Sequence, residues 1–242
     1  MLTVAYDGSP YLGWQRQARG PTVQGVLEEA LGKLCNHPVT VYGSGRTDSG
    51  VHAKAQVANF YTNSKLPLSA IVKGGNALLP LTVAITSARE VDFDFNARFS
   101  ATGKTYGYDF LTSLVRDPLL VKRAWFVGPK LDWSSMAQSL PYLSGTRDFS
   151  SFKSSGGDVK TTVKTIKDIR VLEISPELKR LSITGSGFLR HMVRTMAGTL
   201  WLIGRGKLKP EDLEKIIEAK DRSRAGPMAP AQGLCLEEVY YD

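Results

Sequence analysis

The spacing of apolar residues along the chain switches between two periods, and the switch points divide it into elements. Leu2–Asp7 alternates as a strand. From Val23 to Leu34 the apolar residues Val26, Leu27, Ala30, Leu31 and Leu34 recur at helical spacing and predict an amphipathic helix. Val39–Tyr42 and Ala55–Tyr61 read as strands on either side of a glycine-rich connection. Leu68–Leu79 is helical by spacing and stops at Pro80, and Val83–Val91 returns as strand. That order, β-α-β-β-α-β, is the ferredoxin-like arrangement, with two helices on one face of an antiparallel sheet.

Past a crossover at Asn96–Gly103 the pattern begins again. Lys104–Leu111 and Ala124–Val127 predict strands, Trp133–Leu143 a helix, and Thr165–Ile174 and Arg180–Thr184 two more strands. Gly187–Trp201 is a largely apolar helical stretch. Lys209–Ala219 is a second helix, with Pro210 and acidic residues near its start, and Gly233–Tyr241 closes as strand. The expected organisation is two α+β units, residues 1–100 and 101–242, that look like divergent copies without a usable repeat.

A chain of 242 residues with 42% hydrophobic content can bury a real core. Its apolar stretches are too short for a bilayer span. Met1 leads into a strand rather than a basic stretch and an apolar core, so no secretory signal is expected. Two cysteines and three scattered histidines have no zinc spacing, and a reducing cytoplasm is the simpler compartment. The formal charge of +8 points to a polyanionic partner. Its distribution is uneven: residues 1–103 carry 9 Lys/Arg against 7 Asp/Glu, and the remainder 22 against 16. In the basic half, Lys153, Lys160, Lys164 and Lys167 follow the aromatic pair Phe149 and Phe152. Lysines neutralise phosphate and aromatic rings stack on bases, which makes this a candidate RNA surface. A solvated lysine-rich strand with two core phenylalanines is the other reading of the same residues.

Gly43-Ser44-Gly45-Arg46-Thr47-Asp48-Ser49-Gly50-Val51-His52-Ala53 is the most informative segment. It sets one carboxylate, Asp48, between an arginine and glycines in a tight connection, where a ligand can approach the backbone closely. Such a carboxylate can face a substrate as a charged nucleophile. The same residues also make an ordinary turn. No Gly-Lys-Ser/Thr follows, which excludes a phosphate-cradling P-loop. A dinucleotide fingerprint would need glycine at position 48 and a helix where Val51–Tyr61 reads as strand.

The segment resembles the catalytic motif of the TruA-type tRNA pseudouridine synthases, G-x-G-R-T-D-x-G-V-H-A. Four further blocks are similar to that family's patterns. They are Tyr6-Asp7-Gly8 through Gly13-Trp14-Gln15-Arg16-Gln17 and Val23-Gln24 to Glu28; Asn96-Ala97-Arg98 to Tyr106; Gly187-Phe188-Leu189-Arg190-His191-Met192-Val193-Arg194; and Ala229-Pro230-Ala231-Gln232-Gly233-Leu234-Cys235-Leu236. Together the five blocks span almost the whole chain.

The resemblance implies two ferredoxin-like halves, a continuous mostly antiparallel sheet and a central cleft. It also implies isomerisation of uridine to pseudouridine in the anticodon stem-loop of tRNA, at tRNA positions 38, 39 and 40. No cofactor and no metal are called for, because the reaction adds no atoms and changes no oxidation state. Asp48 is the implied catalytic residue, and Arg194 its cation, needed because burial alone would raise a carboxylate's pKa. Tyr106 lies against the uracil, Leu234 forms an apolar wall, and Arg46 occupies the space of the flipped base. Lys153, Lys160, Phe152 and Arg190 are the expected RNA contacts. A structural hydrogen bond is the expected role of His52 and of His191. The family also implies a homodimer. A catalytically silent RNA-binding protein or tRNA folding chaperone on the same scaffold is the alternative.

Some positions depart from the family's common pattern. Ser44 and Ser49 stand where alanine is frequent, and Lys104-Thr105-Tyr106-Gly107 replaces a more basic run. Tyr106 and Tyr108 are two apart on a predicted strand, and only the motif selects Tyr106.

Overall fold

The computed structural model describes residues 1–156 and 160–242. The chain forms two compact units, Met1–Thr102 with Cys235–Asp242, and Gly103–Leu234. The last eight residues therefore belong with the first unit, whereas a single cut near residue 100 assigns them to the second. Their strand hydrogen-bonds to a strand of the first unit, which local periodicity cannot reveal.

In the first unit the order is β1 (Leu2–Tyr6), α1 (Val23–Cys35), β2 (Tyr42–Gly43), β3 (His52–Asn59), α2 (Leu68–Leu78) and β4 (Val83–Ala88). β1 runs antiparallel to both β3 and β4, and β2 antiparallel to β3, which is the predicted ferredoxin-like order. The closing strand β10 (Leu234–Tyr241) pairs parallel to β3, Cys235 opposite His52 and Leu236 opposite Ala53. Leu2, Val4 and Tyr6 alternate inward from β1, and Val23, Leu27 and Leu31 line the inner face of α1, all of them buried. Thr22 caps α1 by accepting the Gly25 N–H at 3.2 Å, and Asn36 ends it in the left-handed conformation at φ 58°.

Two features of this unit differ from the pattern. The buried face of α1 is rotated to include Gln24 and Glu28 in place of Val26 and Leu34, which are half-buried. The strand expected over 39–42 shrinks to the two residues of β2. One cause explains both. Val41 exchanges its backbone bonds with α1 side chains, its N–H donating to Glu28 Oε1 at 3.1 Å and its C=O accepting from Gln24 Nε2 at 3.0 Å. Buried polar side chains thus satisfy a segment that would otherwise need a strand partner.

The second unit contains β5 (Ala101–Leu111), β6 (Trp125–Phe126), α3 (Trp133–Ser139), β7 (Gly145–Asp148), β8 (Val163–Glu173), β9 (Leu178–Gly185), α4 (Met192–Gly204) and α5 (Asp212–Ala219). β5, β9, β8 and β7 are successive antiparallel neighbours, with β6 parallel to β5. The protein is accordingly a mixed α+β chain with mostly antiparallel pairing. The helix predicted over 133–143 ends at Ser139 and tightens into a 3-10 turn, Leu140–Leu143, where Pro141 has no N–H to continue the ladder. α4 starts at Met192 rather than Gly187, because His191 sits at φ 63° and interrupts any helix before it. α5 starts at Asp212, whose carboxylate accepts the Lys209 N–H at 2.9 Å ahead of it. β7 was invisible to the pattern because Thr146, Arg147 and Asp148 carry no apolar alternation. Among the described residues no helix is long and apolar enough to cross a membrane.

Candidate active site

Residues 44–51 form the connection between β2 and β3 that carries Asp48. It contains almost no regular structure, yet it is pinned along its length. Ser44 donates its N–H to Val57 O at 2.7 Å and its hydroxyl to Gln56 Oε1 at 2.6 Å. Gln56, fully buried, donates in turn to Gly45 O at 3.0 Å. Thr47 accepts the Trp14 N–H at 3.1 Å and shares a hydrogen bond between its hydroxyl and Tyr6 at 2.8 Å. Ser49 donates to Tyr11 O at 3.1 Å, and Val51 N–H closes the turn onto Asp48 O at 3.1 Å. Ser44 and Ser49, the two departures from alanine, are therefore used as donors.

Close approach holds the other side. Gly13 has φ +103°, and a Cβ there would lie 2.6 Å from Thr47 O and 3.1 Å from Asp48 C. Only glycine fits both the dihedral and the space, so the Gly13-Trp14 block and the Asp48 loop are one structural object. The Asp48 side chain is half-buried and Arg46 is exposed. Arg46 Nε donates to Gln15 Oε1 at 3.0 Å. His52 Nδ1 accepts the Gly8 N–H at 3.1 Å and lies 3.2 Å from Asp7 Oδ1, a structural part at the end of the loop.

Tyr106, Arg194 and Leu234 stand in the second unit. Tyr106 pairs with Ile183 across β5 and β9, and its ring meets Phe188 edge-on at 5.1 Å between centroids. It is 8% exposed. Tyr108 lies on the same side of the strand, since residues two apart share a face, so the two differ in depth and not in face. Tyr108 is fully buried among Phe110 and Trp125 and donates its hydroxyl to Pro230 O at 2.8 Å. Burial drives its phenol well above the ordinary range, with the Arg194 charge working in the opposite sense. Tyr108 is packing.

Arg194 occupies the first turn of α4 and is 8% exposed. Its Nε donates to Ala229 O at 2.8 Å, and the Ala229 N–H returns to Arg194 O at 3.1 Å. Segment 225–230 is drawn tightly along the helix: Gly226 N–H donates to Thr199 Oγ1 at 2.9 Å, and a Cβ on Gly198 would stand 1.8 Å from Pro227 O. Successive carbonyls at 229 and 230 thus hold Arg194 and Tyr108. Leu234, 6% exposed, begins β10 just after this segment.

The expected RNA contacts divide. Lys153 is half-buried and Lys160 exposed. Arg190 is exposed and donates to Ser155 O at 3.0 Å, while Ser154 N–H donates to Arg190 O at 3.2 Å, so Arg190 and the stretch after Lys153 are tied together. Phe152 is corrected. It is fully buried, ring against Phe149 at 6.1 Å, and has no surface on which a base could stack. The turn ahead of it is set by Asp148, whose carboxyl the Ser150 hydroxyl holds down at about 2, helped by Thr162.

Residues that the pattern passed over include Phe188, which faces Tyr106, and Gln15, which holds Arg46. Both lie inside quoted motifs; the aromatic beside a motif arginine and the glutamine beside a motif tryptophan were the available signals. The backbone of Ala229 carried no signal, because a carbonyl is common to every residue.

The α+β scaffold agrees with what comparison finds. Residues 2–100 and 140–242 match the family model described as tRNA pseudouridine synthase. The chain belongs to the tRNA pseudouridine synthase family. Arg46, Asp48, Arg190, Arg194 and Leu234 fall within the matched residues, and Tyr106 falls between the two stretches. Among relatives, the chain is 45% identical over 240 residues to a tRNA pseudouridine synthase A of Syntrophotalea carbinolica, covering 99% of this chain and 95% of that one. It is likewise 45% identical over 240 residues to a tRNA pseudouridine synthase A of Acetivibrio thermocellus, covering 99% and 98%. A solved H/ACA RNP bound to a substrate RNA containing 2'-deoxyuridine contains a chain 13% identical at a TM-score of 0.38; the match covers 84% of this chain and 44% of that one.

Proposed function

We propose that this chain converts uridine to pseudouridine in the anticodon stem-loop of tRNA, with Asp48 as its essential carboxylate. The enzyme class follows from family membership: a pseudouridine synthase, an isomerase acting on tRNA. The reaction breaks the bond between the ribose carbon and the ring nitrogen, turns the uracil, and rejoins it through a ring carbon that gives up its proton. A target inside a helical stem must first leave its stack, at a cost of a few kcal/mol, roughly.

The observation that carries the role of Asp48 is its setting. Seven hydrogen bonds in and around residues 44–51 and the Gly13 contact hold the loop in place, with Asp48 half-buried on it. A pre-set carboxylate spends no reorganisation at the moment of reaction. Arg194 is the cation we assign to keep it charged, supported by its motif position and by a guanidinium whose fixed donor fork matches a carboxylate. Tyr106 stacks on the uracil and takes the ring proton, Leu234 closes the pocket wall, and Arg46 fills the place of the flipped base. Lys153, Lys160 and Arg190 contact phosphate. The chain works in the cytoplasm as a homodimer.

Asp48→Asn keeps size and most hydrogen bonding and removes the charge. It should abolish pseudouridine formation while tRNA affinity stays within about tenfold, or about 1.4 kcal/mol. Near-normal turnover in a pseudouridine-mapping assay sinks the mechanism. Loss of affinity with loss of activity would instead make Asp48 a binding residue.

A further inference from the structure

Arg46 is exposed, and a long exposed side chain ordinarily samples many rotamers. Here its Nε–H is committed to Gln15 Oε1 at 3.0 Å. What holds Gln15 is unusual in being directional. Its Nε2 donates to Gln24 Oε1 at 2.7 Å. That same oxygen accepts the Arg16 backbone N–H at 2.9 Å, and Gln24 Nε2 donates to Val41 O at 3.0 Å and to Glu28 Oε1 at 3.0 Å. A backbone N–H can only donate and a backbone carbonyl can only accept, so Arg16 and Val41 settle which end of the Gln24 amide is which. Glu28, 9% exposed, adds to the constraint by accepting the Val41 N–H at 3.1 Å on the oxygen that faces Gln24, with its other oxygen on Arg16 Nη1 at 2.9 Å.

We propose that Glu28, Gln24 and Gln15 form a one-way hydrogen-bond relay that orients Arg46, so that Gln24 and Gln15 are positioning residues for the step in which a uridine leaves its stack. The inference rests on the role given above to Arg46. Each amide can point only one way. Gln24 must show its oxygen to Gln15, so Gln15 must show its nitrogen to Gln24 and its oxygen to Arg46. The buried polar face of α1 and the vanished strand at 39–42 then have a functional reason: they anchor a chain that ends at the catalytic loop. An apolar pair in their place would leave the Val41 N–H and C=O without these partners and Arg46 unguided.

The test is a double-mutant cycle with single-turnover pseudouridine formation on tRNA. Gln15→Leu and Gln24→Met should each lower kcat/KM by about tenfold with Arg46 present, and by less than about twofold in an Arg46→Ala background. Equal losses in both backgrounds, or none in either while Arg46→Ala itself lowers kcat/KM, overturn the relay. Gln15→Leu leaves the buried anchors untouched, so the cycle stands even if Gln24→Met folds poorly. The second readout is independent of activity: the Nε–Hε resonance of Arg46 in protein labelled with 15N-arginine, assigned through Arg46→Lys. It should shift and exchange faster with water in Gln15→Leu and in Gln24→Met. An unchanged resonance overturns the relay whatever the kinetics. If Arg46→Ala alone leaves kcat/KM at the wild-type value while the resonance responds as expected, the relay stands and the assigned role of Arg46 fails.

Discussion

The Asp48 loop and the segment 225–234 are both irregular backbone serving site residues, but they are immobilised from different directions. The Asp48 loop is held largely through side chains: the Thr47 hydroxyl bonds Tyr6, Ser44 and Ser49 donate to Gln56 Oε1 and Tyr11 O, and Gln56 donates to the Gly45 carbonyl, with Gly13 backing it. Segment 225–234 does the reverse: its backbone reaches out, and its carbonyls hold the side chains of Arg194 and Tyr108. In the first case the chain presents a side chain and everything else fixes the main chain. In the second the main chain is the tool and the side chains are the objects positioned. Both solutions need a glycine on the neighbouring element where backbones touch, Gly13 for one and Gly198 for the other.

That contrast breaks most sharply at the two glycines. Gly198→Ala places a methyl 1.8 Å from Pro227 O, so the segment must lift off α4 and release Ala229 from Arg194. Stability should fall by roughly 3 kcal/mol in denaturant titration, as overpacking against backbone costs. Gly13→Ala strains φ as well as space. It should lose pseudouridine synthesis by a larger factor than its loss of stability accounts for, because the backbone of Asp48 must move. If Gly13→Ala kept full activity per folded molecule, the loop would not be pre-set.

The two tyrosines of β5 sharpen the contrast at one hydroxyl each. Tyr106→Phe keeps the ring and its edge contact with Phe188. It should lose on the order of 10²-fold in the chemical step per folded molecule, read as tritium release from the uracil ring carbon. Tyr108→Phe removes the bond to Pro230 O and should cost about 1–2 kcal/mol of stability with little change in tritium release per folded molecule. The opposite assignment of the two effects would exchange their roles.

Smallest is the effect expected on the basic surface. Lys153→Glu with Lys160→Glu, on the basic stretch tied to Arg190, should flatten the dependence of tRNA affinity on salt by about one to two phosphate equivalents and raise KM more than it lowers kcat. Affinity indifferent to both salt and these lysines would put the RNA surface elsewhere.

Much of this was legible in the sequence. The ferredoxin-like order of β1 to β4 follows from periodicity, because residues facing one core must be apolar at the period of the element that carries them. Asp48, its glycines and Arg46 were legible as a motif because turn chemistry is local. The misread elements share a cause. The strand at 39–42, the face of α1 and the edge strand β7 depend on polar partners, and a hydrogen bond between residues far apart in sequence leaves no periodic trace. Phe149 and Phe152 were ambiguous for a related reason, since an aromatic ring serves a core or a base equally well until its burial is known.

By itself, then, the order of residues determined most element types, the presence of a carboxylate on a glycine-rich turn at position 48, and the family, all of which reside in short-range pattern. Tertiary structure alone decided which of two tyrosines on one strand face is packing, that β10 closes the first unit's sheet, and that Arg194 is buried against a backbone carbonyl. The reason is physical: burial and hydrogen-bond partnership are properties of atoms brought together from distant parts of the chain. The Gln24 amide shows it plainly, a polar residue on a helix whose orientation is set by the backbone of Arg16 and Val41, eight residues before it and seventeen after.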